Sequence, residues 1–426
     1  MQYRPRIVDS ELDLNMRTFG AVQIKGPKGC GKTTTAKQMA KTVVEFQDED
    51  LRDGYLKIAN DRPSMLLTGE KPILFDEWQD APKIWGAIRK DVDDSGLSGQ
   101  YLLTGSSSKD VPVSHSGTLR IASMRMYPMS LFESGDSNGT VSLKSLFEGT
   151  ADDGLWRSST DFESLVFAIC RGGWPRAVNL SNDDAKLNVA KQMLSQICES
   201  DMTSIDGVRR DPAVVRRIIR SYSRNICQIA DFNTIYLDVC AENNISYPTF
   251  KDYLGALDRL FITDNIDAWN PAIRSKTAIR SSVKKNLVDP SIAAASLGLS
   301  PKYFDRDFNT LGFLFESLVM RDLRIYSSSL GGRLSYYRDR YGLEADGVLH
   351  LMDGRYALIE VKLGESGIES GARNLNKIES LIEEHNHMHD GTVIRPPDLK
   401  IIITAGEVGY VRDDGVMVIP AGCLRD

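Results

Sequence analysis

The amino-acid sequence predicts a multidomain α/β protein, and three observations support this fold class. The chain has 426 residues, 42% of them hydrophobic, which is enough for two or three domains that each bury a core. Near the N-terminus, a short apolar strand leads through a glycine-rich loop into a helical run. In the last third, several strands are followed by a helix and a further strand, an order typical of a mixed α/β domain.

The N-terminal feature is the segment GAVQIKGPKGCGKTTT. Its residues Gly26, Gly31, Lys32 and Thr33 fit the spacing G-x-x-x-x-G-K-[ST]. The glycines let backbone amides turn toward phosphate oxygens, the lysine reaches the β- and γ-phosphates, and the hydroxyl is a ligand for Mg²⁺. A chance glycine-rich turn is the alternative. The sequence therefore predicts a site for ATP and Mg²⁺. The predicted nucleotide-binding residues of this loop are Gly26, Pro27, Lys28, Gly29, Cys30, Gly31, Lys32, Thr33 and Thr34.

Such a site needs a carboxylate at the end of a neighbouring buried strand. The apolar run ILF ends in Asp76, which we expect to hold Mg²⁺ directly or through water, and in Glu77, which could polarise the attacking water. The strand GQYLLTGSSS ends in Thr104 and Ser106, whose hydroxyls could sense a γ-phosphate, although such residues are also common in turns. Arg120 is a candidate contact to phosphate or to a neighbouring subunit, with a surface salt bridge as the alternative.

These segments resemble a family of bacterial and archaeal AAA-like P-loop ATPases. The resemblance is carried by GAVQIKGPKGCGKTTT, ILFDEWQDAPKIWGAIR, YLLTGSSS and HSGTLRIASMRMYPMSLFESG, and it extends through RGGWP and most of the chain. It implies a P-loop ATPase fold with nucleotide chemistry at the residues named above, and it leaves assembly into homo-oligomers open. Leu119 stands where the family pattern leads us to expect glycine, which leaves the role of Arg120 open.

The middle of the chain is predicted to be helical. A first helical part contains a Gly-Gly-Trp-Pro break, as a lid subdomain would. Three amphipathic runs and a β-rich tail follow, an order that suits a winged helix-turn-helix. One interpretation places the third helix in a DNA groove with nearby arginines on phosphates, and the other is a protein-packing role, because this helix has few base-reading side chains. The arginines concerned are Arg209, Arg210, Arg216, Arg217, Arg220 and Arg224.

Near the C-terminus, the predicted hairpin GLEADGVLHLMDGRYALIEVKLG carries three carboxylates and a lysine. A two-residue turn would put Asp346 and Glu360 on opposite faces. A three-residue loop with Gly354 in the left-handed conformation instead places Asp346 opposite Glu360 and Glu344 opposite Lys362, all on one face. Carboxylates this close repel each other unless a cation lies between them, and Mg²⁺ prefers oxygen ligands.

The spacing D-x₁₃-E-x-K of Asp346, Glu360 and Lys362 resembles the PD-(D/E)xK nuclease motif, although no proline precedes the aspartate. The resemblance implies a restriction-endonuclease-like fold, with Glu344 and the helix residue Glu316 as further metal ligands. In this interpretation Lys362 orients or deprotonates the attacking water. The alternatives are a decayed site that only binds DNA and a structural Glu/Lys pairing across two strands.

Composition restricts the function classes. The N-terminus lacks an apolar leader and no run is long enough to span a membrane, so we expect a cytoplasmic location and no membrane partner. The formal net charge of −6 means that DNA would have to be held by a local basic patch.

The predicted function is an ATPase coupled to a Mg²⁺-dependent nuclease that acts on DNA, with branched duplex among the candidate substrates. A nucleotide-controlled regulatory ATPase whose C-terminal domains bind DNA or protein without cleavage is the alternative. The predicted domains are a P-loop ATPase core (1–160), a helical lid or linker (161–205), a winged helix-turn-helix-like region (206–275) and a PD-(D/E)xK nuclease-like domain (276–426).

Overall fold

The computed structural model describes residues 3–105, 117–151, 154–241, 244–269, 282–388 and 393–426. The chain divides into two compact units, which are described separately. The helices are α1 (Val8–Thr18), α2 (Lys32–Lys37), α3 (Arg52–Asp61), α4 (Lys83–Ser95), α5 (Leu131–Ser134), α6 (Leu143–Glu148), α7 (Phe162–Arg171), α8 (Pro175–Val178), α9 (Asp183–Gln196), α10 (Met202–Ser204), α11 (Pro212–Arg224), α12 (Phe232–Cys240), α13 (Tyr247–Arg259), α14 (Pro290–Leu297), α15 (Phe308–Ser329) and α16 (Ile368–Met388). The strands are β1 (Ala21–Lys25), β2 (Thr42–Glu45), β3 (Ile73–Asp76), β4 (Tyr101–Gly105), β5 (Ile121–Arg125), β6 (Val141–Ser142), β7 (Trp156–Arg157), β8 (Arg333–Arg338), β9 (Glu344–His350), β10 (Tyr356–Lys362), β11 (Leu399–Thr404), β12 (Val408–Val411), β13 (Met417–Pro420) and β14 (Leu424–Arg425).

The first unit is built around a parallel sheet and consists of Met1–Pro128, Glu199–Arg210 and Tyr253–Ile262. In the described part of this unit the strand order is β2-β3-β4-β1-β5. Because β4 lies between β1 and β3, the carboxyl ends of these three strands meet at one edge of the sheet. In open sheets with parallel strands, ligands bind at such an edge, where the strand order reverses.

Helices cover both faces of this parallel sheet. Leu74 and Leu102 pack with residues of α1 and α2, whereas Phe75 and Leu103 pack with residues of α3 and α4. All four side chains are fully buried. Consecutive strand residues point to opposite faces, so a strand that is covered on both sides must be apolar throughout. This explains the continuous apolar runs ILF and YLL in the sequence.

The second unit contains a mixed sheet and consists of Met129–Cys198, Asp211–Asp252 and Thr263–Asp426. Among the described residues, the strand order of this sheet is β7-β12-β13-β11-β10-β9-β8. Strands β10, β11 and β13 run parallel, whereas β8, β9 and β10 form antiparallel pairs. Helix α16 connects β10 to its parallel neighbour β11, and its apolar side packs on the sheet through a buried cluster that contains Leu358 and Ile402. The order of a helix, three strands, a helix and a strand is the order predicted from the sequence.

The register of the hairpin β9–β10 is the one predicted for a three-residue loop. Ile359 is paired with Gly347, and Gly354 has a φ of 89°. One residue further along the same register, Asp346 lies opposite Glu360. The prediction of strand phase is therefore confirmed.

The two units differ from the predicted domain boundaries. Residues 129–160 belong to the second unit, because β6 pairs with β14 and β7 pairs with β12. The segments 199–210 and 253–262 belong to the first unit, although the sequence analysis places them in the lid and in the winged-helix region. The chain therefore leaves the first unit and returns to it twice.

The Gly-Gly-Trp-Pro break, predicted within a lid, is a buried junction of the second unit. Gly172 has a φ of 75°, and a Cβ on Gly173 would lie 1.9 Å from the carbonyl oxygen of Met129. The amide of Gly173 donates to Asp289 Oδ2 at 2.9 Å, and the same carboxylate is paired with the buried Arg321 at 2.8 Å. A buried ion pair therefore holds the break in place. Glycine is needed at both positions, because Gly172 has a positive φ and a side chain on Gly173 would clash with Met129.

Helices α11 and α12 belong to the second unit, and α13 follows them along the chain. After α13, antiparallel bridges join Thr263 to Leu287 and Ile266 to Lys284, which corresponds to the predicted β-rich tail. A parallel bridge from Ala268 to Tyr336 continues this pairing to β8. Of the helices that the structure describes, none has both the length and the apolarity needed to cross a membrane.

Candidate functional site

The glycine-rich loop between β1 and α2 has the backbone that its sequence predicts. Gly26, Gly29 and Gly31 have φ values of 154°, 80° and 108°, which side chains other than glycine rarely adopt. A Cβ on Gly26 would also lie 2.2 Å from the carbonyl oxygen of Met126. Glycine is therefore needed at these positions for the loop to turn.

Two buried basic side chains hold the loop from inside. Lys32 is 5% exposed, and its Nζ donates to the carbonyl oxygens of Gly26 at 3.0 Å and Pro27 at 2.9 Å. The guanidinium of Arg6 donates to the carbonyl oxygen of Cys30 at 2.9 Å. Arg6 is not predicted from the sequence, because nothing in the local sequence indicates a contact to a residue 24 positions away.

The predicted metal ligands meet at the carboxyl edge of the parallel sheet. Thr33 Oγ1 donates to Asp76 Oδ1 at 2.7 Å, and Thr104 Oγ1 donates to the same carboxylate oxygen. Thr104 faces Asp76 because β3 and β4 are neighbours in register. Hydroxyl and carboxylate oxygens are the ligands that Mg²⁺ prefers. The residues of this edge therefore fit a nucleotide-bound Mg²⁺ ion.

Glu77 lies one residue beyond Asp76 at the same edge. Its backbone is left-handed, with φ 52° and ψ 46°, which is uncommon for a residue other than glycine. The side-chain amide of Gln79 donates to the Glu77 carboxylate. Gln79, which the sequence analysis missed, thus helps to set the orientation of the predicted base. Lys28, on the outer side of the loop, is paired with Asp201 at 3.4 Å.

The structure does not bring Arg120 to the phosphate loop of its own chain. Arg120 precedes β5, so it lies at the amino edge of the sheet, whereas the loop follows β1 at the carboxyl edge. Its Nε lies 2.7 Å from Asp93 Oδ1. The predicted contact of Arg120 to the nucleotide is therefore not supported within one subunit, and the alternative of a surface salt bridge is observed. Ser106, the other predicted phosphate sensor, lies outside the described residues.

In the second unit, the predicted carboxylates of the hairpin converge. The ammonium of Lys362 contacts the carboxylate of Glu360 and lies 3.7 Å from Asp346 Oδ2. The amide of Val361 donates to Asp346 Oδ2 at 2.8 Å, and Asn374 Nδ2 donates to Glu360 Oε1 at 3.1 Å. Asp346, Glu360 and Lys362 therefore form one cluster, as the predicted register requires.

A second lysine, Lys284, lies within this acidic cluster and was missed by the sequence analysis. Its Nζ lies 2.7 Å from Glu316 Oε1, 3.2 Å from Glu344 Oε1 and 3.6 Å from Asp346 Oδ1. In the sequence, Lys284 is part of the polar segment SSVKKNL, which carries no signal of burial beside carboxylates. We use the term acidic cluster below for the carboxylates of Glu316, Glu344, Asp346 and Glu360.

Burial and crowding of charge shift the pKa values in the acidic cluster. Burial and the neighbouring Asp346 raise the pKa of Glu316 to about 8 and that of Glu360 to about 7. Burial would lower the pKa of Lys284, but the surrounding carboxylates outweigh it and raise the pKa well above its ordinary value. The pKa of Lys362 is also raised, because Asp346 and Glu360 outweigh its burial. Lys362 is thus a fixed positive charge at neutral pH, and its predicted role as a base is not supported.

The predicted magnesium centre does not fit the acidic cluster as it is arranged. Carboxylate oxygens suit Mg²⁺ in kind. Within the described ranges, however, no three or more His, Cys, Asp or Glu side chains are grouped so that they could hold a metal ion. The ammonium groups of Lys284 and Lys362 lie between the carboxylates instead. Side-chain cations thus neutralise the cluster.

The predicted phosphate-contacting arginines are divided between the two units. Arg210 is 2% exposed, and its guanidinium donates to Met202 O at 2.7 Å and to both carboxylate oxygens of Asp206. The hydrogen bonds from Arg210 to the carboxylate are the main cause that lowers the pKa of Asp206 to about 2. Arg210 is therefore a structural residue of the first unit, and its predicted contact to DNA is wrong. Arg216 and Arg220 are exposed on α11 in the second unit.

Comparisons with known proteins give matches to three family models. Residues 18–134 match an AAA domain, residues 162–303 match a domain of unknown function (DUF8612), and residues 311–424 match another domain of unknown function (DUF4143). No curated protein matches this chain.

Two solved structures illustrate the similarity at the level of coordinates. The Walker-type ATPase PABY2304 of Pyrococcus abyssi is 13% identical, with a TM-score of 0.41, over 69% of this chain and 99% of that chain. The Drosophila ORC bound to DNA is 14% identical, with a TM-score of 0.17, over 68% of this chain and 84% of that chain.

The match to the AAA domain coincides with the phosphate loop, with Asp76 and with the parallel sheet that brings them together. Residues 18–134 are therefore similar to an AAA domain and combine a phosphate loop with an ATPase-like parallel sheet.

Proposed function

We propose that this protein binds ATP with Mg²⁺ and hydrolyses it at the phosphate loop. The proposal is carried by the convergence of the Thr33 and Thr104 hydroxyls on Asp76. Lys32 would bind the β- and γ-phosphates, and Thr33 and Asp76 would hold the metal ion. Glu77 orients the attacking water and accepts its proton. When bound, Mg²⁺ would supply positive charge that neutralises the phosphate oxygens.

Thermal unfolding with and without Mg²⁺ and ATP tests the binding site. A ligand at one hundred times its Kd stabilises the folded state by about 2.7 kcal/mol, so the wild-type protein should melt at a higher temperature with nucleotide. Lys32→Ala should abolish this shift. Lys37→Ala is the matched control, because Lys37 lies on the same helix but is exposed and paired with Glu45. An equal shift in wild type and Lys32→Ala would contradict the proposed site.

Hydrolysis is tested separately from binding. Glu77→Gln should keep the nucleotide-dependent rise in melting temperature and lose most phosphate release, because the amide cannot accept the proton of the water. Phosphate release by Glu77→Gln at the wild-type rate would exclude Glu77 as the base.

We further propose that the second unit carries a nuclease-like site with a restriction-endonuclease-like core. The proposal is favoured by the convergence of Asp346, Glu360 and Lys362 in the predicted strand register. Asp346 and Glu360 are the carboxylates that the nuclease motif assigns to phosphodiester cleavage, and the ammonium of Lys362 lies beside both of them. Lys362 would stabilise the negative charge that develops on the phosphate.

Incubation with supercoiled plasmid and with branched DNA, with Mg²⁺ and with or without ATP, tests this second proposal. We expect nicking by the wild-type protein and none by Lys362→Ala. If neither protein cleaves any of these DNA forms, the alternative of a nucleotide-controlled regulatory ATPase is preferred. In that case the exposed arginines of α11 are the first DNA-binding candidates, and Arg220→Ala should weaken DNA binding at fixed salt.

A further inference from the structure

A buried arginine near the N-terminus joins the phosphate loop to the neighbouring strand. Arg6 is 6% exposed. Its Nη1 donates to the carbonyl oxygen of Cys30 at 2.9 Å, and its Nη2 donates to the carbonyl oxygen of Tyr127 at 2.8 Å. Cys30 belongs to the loop after β1, whereas Tyr127 follows β5, which pairs with β1. One guanidinium therefore links the loop to the end of the next strand in the sheet.

Arg6 is itself held at the start of α1. Its amide donates to Asp9 Oδ2 at 2.8 Å, and the amide of Asp9 donates to the carbonyl oxygen of Arg6 at 3.0 Å. The hydroxyl of Tyr3 donates to Asp9 Oδ1 at 2.6 Å, and its oxygen lies 3.1 Å from Oγ1 of Thr35 on α2. We call residues 3–9 the N-terminal brace. Because α1 and α2 both pack on the parallel sheet, the brace has a fixed position beside the loop.

The hydrogen bond from Arg6 to the carbonyl oxygen of Cys30 sets the direction of the amide that follows. The peptide bond between Cys30 and Gly31 is trans, so its C=O and N–H point in opposite directions. With its oxygen held by Arg6, this peptide directs the N–H of Gly31 away from the guanidinium. In a phosphate loop, amides of this kind surround the α- and β-phosphates. Arg6 therefore controls the orientation of one phosphate-binding group without reaching the nucleotide itself.

The chemistry of the guanidinium suits this task. It keeps its positive charge at any ordinary pH, and its planar fork can hold two oxygens in a fixed geometry. Hydrogen bonds donated by a charged group are shorter and stronger than those donated by a neutral one. The second anchor is stiff as well, because Tyr127 precedes Pro128 and the residue before a proline is restricted to extended backbone.

We propose that Arg6 is a positioning residue of the nucleotide site, which turns the Gly31 amide toward the β-phosphate and so sets the affinity for nucleoside di- and triphosphates. The inference rests on the proposed binding of ATP and names the part of the ligand that the N-terminal brace serves. ADP and ATP share the β-phosphate, so the binding of both depends on Arg6 to the same degree. Lys32, by contrast, reaches the γ-phosphate as well.

Calorimetric titration of the full chain with Mg²⁺ and either ADP or the non-hydrolysable ATP analogue AMP-PNP tests the proposal. The temperature is kept well below the melting temperature of each variant. Arg6→Gln keeps a polar side chain but removes the charge and the fork, so both ligands should bind about tenfold more weakly. In ATP hydrolysis, KM should rise by a similar factor and kcat should change less than about twofold, because binding is lost equally in the ground state and the transition state.

Two further variants separate orientation of the loop from general stability. Arg210→Gln is the matched control, because Arg210 is buried in the same unit and also donates to a backbone carbonyl oxygen, that of Met202 at 2.7 Å. This variant should melt at a lower temperature but keep the wild-type Kd for both ligands. Arg6→Lys restores the charge without the fork, so it should weaken both ligands by only about threefold.

Two results would overturn the proposal. One is a folded Arg6→Gln that binds ADP and AMP-PNP as tightly as wild type does. The other is an equal loss of affinity in Arg210→Gln, because reduced stability alone would then explain the effect. If Arg6→Gln does not fold, Arg6→Lys takes its place, and wild-type affinity in that variant overturns the proposal. Failure of the proposed ATP binding looks different, because the wild-type protein itself would then bind neither ligand.

Discussion

Thr104 shows how a single hydroxyl can set the geometry of a metal ligand. It is fully buried at the end of β4 and donates to the same oxygen of Asp76 that accepts from Thr33. Asp76 is thereby held between one residue of the phosphate loop and one residue of the neighbouring strand. The sequence alone leads us to expect that this hydroxyl senses the γ-phosphate, whereas in the structure it positions the carboxylate of Asp76.

The substitution Thr104→Val tests this positioning role. Valine has nearly the same shape but cannot donate, so Asp76 loses one of the two bonds that orient it. We expect kcat for ATP hydrolysis to fall by up to ~10²-fold, because small displacements of positioning groups have effects of this size. The nucleotide-dependent rise in melting temperature should be kept, which separates positioning from binding.

Thr104→Ser is the control, because serine retains the hydroxyl and should keep most of the activity. A valine variant with wild-type kcat would show that the bond to Asp76 has no part in catalysis. Equal losses in the serine and valine variants would point to packing of the methyl group instead.

The residues of the two sites differ in how far the sequence could predict them. Lys32, Thr33 and Asp76 were predictable, because short spacing and a buried strand fix their positions. Arg6 and Lys284 were not, because each reaches its partners only after distant segments have folded together. A lysine in a polar segment is expected to be exposed. Only the bridge between Lys284 and Ile266 in the folded chain shows how Lys284 comes to be buried.

At the scale of single elements, the hairpin β9–β10 was predictable from its turn. Side chains alternate along a strand, so one residue more or less in the loop reverses every side chain. Gly354 sets the three-residue loop by its left-handed conformation, with φ of 89°. The amide of Leu351 donates to the carbonyl oxygen of Arg355 at 2.8 Å, which closes the loop. The conformation of the turn therefore determines on which face of the sheet the acidic side chains lie.

The substitution Gly354→Ala tests how much this loop contributes to stability. A left-handed conformation costs an L-residue roughly 1–2 kcal/mol, so the free energy of unfolding should fall by that amount. Among the described residues other than its two chain neighbours, none has an atom within 4 Å of a Cβ built on Gly354, so the loss would come from the backbone and not from a clash. Denaturant unfolding of the full chain measures it.

Gly364→Ala is the matched control. Gly364 also has open space around a built Cβ, but its φ is −144°, which alanine adopts freely. This variant should be unchanged or more stable by about 0.4–1 kcal/mol. If both variants lose the same stability, the left-handed backbone is not what makes glycine necessary in the loop.

At the scale of the whole molecule, the predicted domain limits differ from the limits of the two units. Composition and motifs predict domains that follow one another along the chain. The first unit is instead assembled from three separated segments. Helical periodicity in 199–210 and 253–262 resembles that of their sequence neighbours, so no local signal assigns these segments to the first unit. Only long-range contacts do so.

These contacts imply that the N-terminal 128 residues are not a complete folding unit. The segment Glu199–Arg210 contains Asp201, which is paired with Lys28. The segment Tyr253–Ile262 contains Phe261, whose ring centre lies 5.3 Å from the guanidinium carbon of Arg125. They also supply buried apolar side chains that belong to the first unit. The residues concerned are Met202, Ile205, Leu257 and Ile262.

We therefore expect the fragment Met1–Pro128 to be much less stable than the same residues in the full chain. Removal of several buried side chains exposes the apolar surface that they cover, at about 25 cal/mol for each Å². The fragment should unfold without a sharp transition, and Mg²⁺ with ATP should raise its melting temperature by less than that of the full chain. Calorimetry of both proteins with and without nucleotide measures this. A fragment that melts cooperatively, with the full nucleotide-dependent shift, would mean that the phosphate loop and its sheet fold alone and that the later segments only lie against a finished domain.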